Sequence, residues 1–387
     1  MTPFPVGLMS GGSRLFDRLR NYYTKQDGKL EAIHSNMPVP PPISSQTALL
    51  CAILFTVIYV APFYLSATLR STPLQSRDAP AVIRARVRAV GLSCLVSTVI
   101  TVYVLAIHGQ ATPPDVARLL GLWPIDPLDI AKVLGLVAVL FVGPLYETFI
   151  VDSAWRQVSV SSLKSGLFDN WIGYRNIVVA PASEELVFRA LTISLYLLAK
   201  VHPTRIVFTT PLVFGLAHVH HLVEFLQSRT PQGHRSAPLA IWISGLVRTL
   251  FQFTYTSLFG FFAAFVYLRT GNLWAATLAH SFCNWQGLPR VWGRVGQFAE
   301  SYEHMTPDVA QGKRDEDVDA AVKVGNSLMQ TEEEREAKAA YVQIPGSNNL
   351  GVGWTVVYYV LIVAGSIGFY RLLWPLTEST NALAVFQ

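Results

Sequence analysis

The chain has 387 residues, 51% of them hydrophobic and 14% charged, with a mean hydropathy of +0.36. A soluble globular protein carries about 25% charged residues, so the composition excludes an ordinary soluble enzyme and points to a chain embedded in lipid. The net charge of +5 comes without aromatic–basic alternation, so no nucleic-acid partner is expected, and a basic membrane body suits anionic head groups.

Residues 1–45 read as a polar, mostly irregular N-terminal tail with a proline-rich Pro38–Pro42 stretch. It lacks the short apolar region and cleavage site of a secretory signal, so the first membrane contact is expected to be a retained anchor. A membrane domain over 46–295 follows. A span needs about 20 apolar residues, and Gln46–Thr68 and Ala89–Ile107 supply them. They are joined by a basic loop carrying Arg70, Arg77, Arg84, Arg86 and Arg88. Basic residues on both sides of the first span leave the orientation open. The proline-bearing segment Gly109–Leu128 reads as a loop with a short surface helix. Val133–Tyr146 is the heart of a third span ending near Glu147. In the polar stretch Asp152–Asn176, the residues Trp155, Trp171 and Tyr174 suit a membrane interface.

The segment from Ile177 to Leu198 is apolar apart from Ser183-Glu184-Glu185 and Arg189. A charged side chain near the centre of a membrane helix costs roughly 2.5–3.5 kcal/mol on insertion scales. Glu185 and Arg189 are one turn apart and can pair, which leaves Glu184 without a partner in its own helix. After a break at His202-Pro203, a span from Ile206 to Val223 carries Phe214, His218, His220 and His221. A polar loop, Gln227–Ser236, precedes the tract Pro238–Leu268, which reads as two helices or one long bent one. Asn272–Leu288 carries His280, Cys283 and Asn284. Residues 296–350 form an acidic, water-facing insert: positions 300–340 hold eleven acidic and five basic residues. Within it Thr331–Ala340 has helix-forming composition. The final transmembrane helix of the membrane domain is placed at 351–374 and a short tail at 375–387. The expected fold is all-α and polytopic, with about eight transmembrane helices around an intramembrane cavity. The three cysteines, Cys51, Cys94 and Cys283, lie in apolar segments and define no disulfide framework.

Each polar cluster has a plain structural reading. Serine and acids favour a helix start, histidines gather at interfaces, and His280 with Asn284 could form an interhelical hydrogen-bonding seam. Taken together, they are the parts of a hydrolase. A glutamate beside imidazoles in a low-dielectric site can be tuned as a general base. A histidine and an amide four residues apart share one helix face and can donate to a developing oxyanion. Three rivals stand beside this. Glu184, His218 and His280 could bind zinc, although the H-E-x-x-H signature is absent. Cys283 could be a nucleophile, although a buried thiol is usually inert. Intramembrane Glu, His and Asn also mark proton relays, so a proton-coupled transporter is the non-enzymatic reading, against which no inverted repeat is visible.

Glu-Glu-x-x-x-Arg at 184–189, Phe-x-x-x-His at 214–218 and His-x-x-x-Asn at 280–284, in that order on apolar helices, resemble the CAAX prenyl endopeptidases of the Ras-converting type. The longer runs Phe214–His221 and His280–Asn284, and the ending Leu-Leu-Trp-Pro-Leu-Thr of the last span, look like the eukaryotic branch. The resemblance implies an eight-helix protease of the endoplasmic reticulum membrane, working without metal or other cofactor, that removes the last three residues of prenylated CaaX proteins such as Ras-type small GTPases. By motif position it implies that Glu184 activates water with help from His218. His280 and Asn284 would then stabilise the oxyanion, and Glu185 and Arg189 would hold the site. Arg189 and Arg290 are the candidates for receiving the substrate carboxylate. The 296–350 insert has no counterpart in the family pattern.

Overall fold

Helix starts are written into the sequence. The Ser44 hydroxyl accepts the Thr47 N–H at 3.0 Å and opens α2 (Ser45–Val60). Pro80 opens α3 (Pro80–Ile107), where a missing N–H costs nothing. Asp115 accepts both the N–H and the hydroxyl of Thr112 at the start of α4 (Pro113–Leu119). The carboxylate of Asp126 accepts two N–H groups at the start of α5 (Pro127–Leu140), and Asn272 does the same for α10 (Leu273–Gln286). Between them lie α6 (residues 171–198), α7 (Pro203–Ala217), α8 (His220–Arg229) and α9 (Leu239–Thr270); α11 (Val352–Leu376) closes the bundle. This computed structural model describes residues 14–24, 40–66, 68–69, 78–156, 159–230, 236–296, 298–299, 344–345 and 350–386.

Among the described residues, five helical stretches are long and apolar enough to cross a membrane: Ser45–Leu65, Pro80–Ile107, Pro203–Gln227, Leu239–Thr270 and Val352–Leu376. A sixth is the pair Pro127–Leu140 and Val142–Val151, bent by 79°. Two of the roughly eight expected spans, α6 and α10, do not reach that standard. α10 has 14 residues, and α6 carries four charged residues and π-helical turns at Tyr174–Val179 and Leu186–Leu191. Their role is different: α6 is enclosed by the longer helices, while α10 packs against it and turns Trp274, Leu278 and Trp285 outward. Every residue from Val187 to Leu198 is buried, as expected of a helix apolar on all sides. The longer helices turn residues such as Leu50, Leu95, Leu250 and Val360 outward, where lipid satisfies them. The protein is membrane-embedded and, among the described residues, all-helical apart from a two-residue antiparallel pairing of Phe298–Ala299 with Ile344–Pro345.

The tract read as two helices or one bent helix is the single 32-residue helix α9. It approaches α7 closely because glycines line the contact. A Cβ at Gly260 would meet the Pro211 side chain at 2.6 Å and Arg189 Nη2 at 3.3 Å, and a Cβ at Gly215 would strike the Ser257 hydroxyl. The tail expected to be irregular contains a helix, α1 (Arg14–Thr24). Its Leu15, Phe16, Leu19 and Tyr23 are buried, and the Tyr23 hydroxyl reaches the carbonyls of Leu197 and Val201 at 3.1 and 3.0 Å. The spacing of these four residues is helical, and the charges between them obscured it. The expected helix at Thr331–Ala340 lies outside the described residues.

Candidate active site

Successive side chains on a helix project about 100° apart, so Glu184 and Glu185 face different surroundings. Glu185 is fully buried. Its Oε1 accepts from Arg189 Nη1 at 3.0 Å and from His280 Nδ1 at 2.8 Å. The guanidinium of Arg189 stacks against Phe214 (4.4 Å to the centroid) and Phe259 (5.7 Å). The buried charges are thus paired along α6 and tied across to α10. The π-helical turn Leu186–Leu191 begins directly after the two glutamates; such turns recur at functional sites.

Glu184 faces a cavity of about 500 Å3, with its side chain 17% exposed. Its Oε2 lies 3.8 Å from Nε2 of His280. The imidazole is therefore held between two carboxylates, Glu185 on Nδ1 and Glu184 on Nε2, while Phe259 packs on it at 4.5 Å. With Nδ1–H donated to Glu185, Nε2 accepts in the neutral ring and donates in the imidazolium. His218 ends α7, and its Nδ1 sits 2.9 Å from the Phe214 carbonyl. A carbonyl only accepts, so His218 carries its proton on Nδ1 and offers Nε2 as an acceptor. Asn284, one turn beyond His280, donates from Nδ2 to the Asn176 carbonyl at 2.9 Å.

Glu184, His218, His280 and Asn284, drawn from α6, α7 and α10, all line this cavity, and Cys283 lines it too. Glu185 and Arg189 stand behind its wall. The zinc set Glu184, His218 and His280 is not drawn together in the way a metal requires. Among the described residues, the group whose ligand atoms all fall within 4.8 Å of one another is His220, His221 and Glu224. Neither candidate for the substrate carboxylate lines the cavity: Arg189 is held by Glu185, and Arg290 is held by Glu147 at 2.9 Å. The sequence reading missed Asn176, which anchors Asn284, and Phe259, which packs on both His280 and Arg189. Neither belongs to a polar cluster, and no spacing rule links them to their partners. It also read Arg86 as part of a loop, whereas Arg86 lies within α3.

The profile of the family described as "Type II CAAX prenyl endopeptidase Rce1-like" matches residues 166–286, a stretch containing all three motifs. The chain is 34% identical over 249 residues to the probable CAAX prenyl protease 2 of Schizosaccharomyces pombe, covering 64% of this chain and 83% of that protein. It is 35% identical to the human CAAX prenyl protease 2, over 56% of this chain and 64% of the human one. The Arabidopsis thaliana CAAX prenyl protease 2 is 30% identical, over 64% and 81% of the two chains. No solved structure is similar enough to count as a match. On this likeness the chain is a membrane-embedded peptidase and belongs to the Rce1-like family of type II CAAX prenyl endopeptidases.

Proposed function

We propose that the protein removes the C-terminal aaX tripeptide from prenylated CaaX proteins, Ras-type small GTPases among them, at the endoplasmic reticulum membrane, and that it does so with a water activated by Glu184. The observation that carries this reading is the convergence of Glu184, His218, His280 and Asn284 on one cavity. The names of the relatives support the substrate class.

Water sits between the Glu184 carboxylate and Nε2 of His218, which accepts because Nδ1–H is committed to the Phe214 carbonyl. Glu184 takes one proton as the water oxygen attacks the scissile carbonyl after the prenylated cysteine. The tetrahedral oxyanion accepts from Asn284, whose amide carries two N–H bonds, one of them already anchored on Asn176. His280 donates from Nε2 when its ring is doubly protonated. As the intermediate collapses, Glu184 returns the proton to the departing amine. Glu185 and Arg189 touch no reacting atom; they position His280. Hydrogen-bond donors aimed at a developing oxyanion in a water-poor site are usually the largest single source of rate.

The test is release of the tripeptide from a prenylated peptide by purified protein in detergent, wild type against Glu184→Gln. Wild-type release with a silent glutamine variant is expected. A fully active glutamine variant refutes Glu184 as the base, and no wild-type release refutes the peptidase assignment in favour of a transporter.

A further inference from the structure

A second cavity, of about 190 Å3, lies against the first. Glu184 and His218 are the two residues common to both linings. The water-activating pair is thus a septum between two mainly apolar chambers, of which the smaller alone is lined by arginines. The larger one is walled by Val137, Leu140, Phe141, Phe259, Phe262 and Phe369. Two further lining residues, Leu258 and Leu288, are 61% and 59% exposed, so this chamber opens on the apolar outer surface that lipid covers. The smaller one is lined by Arg86, Arg175, His220 and His221.

From this partition, and resting on the function proposed above, we infer that the substrate straddles the septum. The prenyl chain enters the larger chamber from lipid, and the C-terminal carboxylate of the aaX end is received by Arg86 and Arg175 in the smaller. The two arginines are already oriented. Arg86 donates to Glu224 at 2.7 Å and to the Leu69 carbonyl at 2.7 Å, and Arg175 donates to Asp78 at 2.7 Å. Their side chains are only 12% and 19% exposed. Glu224 and Asp78 fix the guanidinium groups from outside, because neither lines the chamber. A planar guanidinium with five N–H donors matches a carboxylate. A carboxylate anchored in the smaller chamber, with the prenylated cysteine across the septum, sets the cut a fixed short distance from the terminus.

The experiment compares prenylated peptides ending in a free carboxylate or a carboxamide, with the wild type, Arg175→Gln, and the pair Arg86→Gln/Glu224→Gln, which leaves no orphaned carboxylate. Wild type should prefer the free acid. Each variant should lose about tenfold or more in kcat/KM on the acid, mainly through KM, and change little on the carboxamide. Turnover of the carboxamide also reports that the variant is folded. Leu140→Trp, which narrows the larger chamber, should lower the geranylgeranyl-to-farnesyl ratio of kcat/KM. Equal losses on acid and carboxamide, no loss on either, or an unchanged prenyl ratio overturn the partition while leaving the peptidase assignment intact. A wild type that releases no tripeptide at all overturns both.

Discussion

Nδ1 of His280 lies 2.8 Å from Oε1 of Glu185, a contact between residues 95 apart in the chain. The same oxygen holds Arg189, so one buried carboxylate aligns the helix that presents Glu184 with the helix that presents Asn284. Two adjacent glutamates thereby separate into a group that faces the cavity and a group that holds its wall.

That separation predicts different losses for the same substitution. Glu184→Gln should reduce hydrolysis about 10²–10⁴-fold, the usual contribution of a general base, with little change in thermal unfolding, because a charge is removed from a low-dielectric site. Glu185→Gln leaves the buried Arg189 without its counterion and should cost about 3–5 kcal/mol of stability as well as activity. Unfolding in detergent beside the peptide assay separates the two, and an equally destabilised Glu184→Gln would contradict the division.

The amide and the thiol, neighbours on α10, should also differ. Asn284→Ala removes an oxyanion donor and should lower kcat about 10²–10³-fold. Cys283→Ala should cost only packing. A dead Cys283→Ala beside an active Glu184→Gln would make this a thiol protease.

Strong chelators should leave activity largely intact if Glu184 and His218 activate water without a metal. Loss on chelation, restored by zinc, would return the metal reading to first place and direct attention to His220, His221 and Glu224.

Phe298–Ala299 pairs with Ile344–Pro345, so the two residues on either side of the 300–343 segment lie side by side. Replacing residues 300–343 with a short linker should preserve insertion and peptide cleavage. An inserted but inactive deletion would give the segment a part in the site.

Gly260→Val places branched carbon against Pro211 and Arg189. Overpacking of this kind costs about 1–3 kcal/mol, and displacement of Arg189 should lower kcat with little change in KM. A variant of unchanged stability would show that α7 and α9 can separate freely.

The membrane class and the three motifs were legible in the sequence because they rest on local rules. Apolar runs of spanning length announce lipid, and charges inside them announce a site. Spacings of four residues put Glu185 with Arg189 and His280 with Asn284 on shared helix faces. The helix α1 was equally local, in the spacing of Leu15, Phe16, Leu19 and Tyr23, and was overlooked because of the charges between them. The spacing to Arg189 already set Glu185 apart from Glu184, but only the tertiary structure tied Glu185 to His280 and opened a cavity before Glu184, because that depends on where α10 packs against α6. The bend after α5 and the π-helical turns of α6 likewise left no spacing signal. The pairings of Glu185 with His280 and of Asn284 with Asn176, and the basic chamber of Arg86 and Arg175, join residues 89 to 108 positions apart. No period in a sequence encodes such distances; they follow from how the helices close around one buried rod.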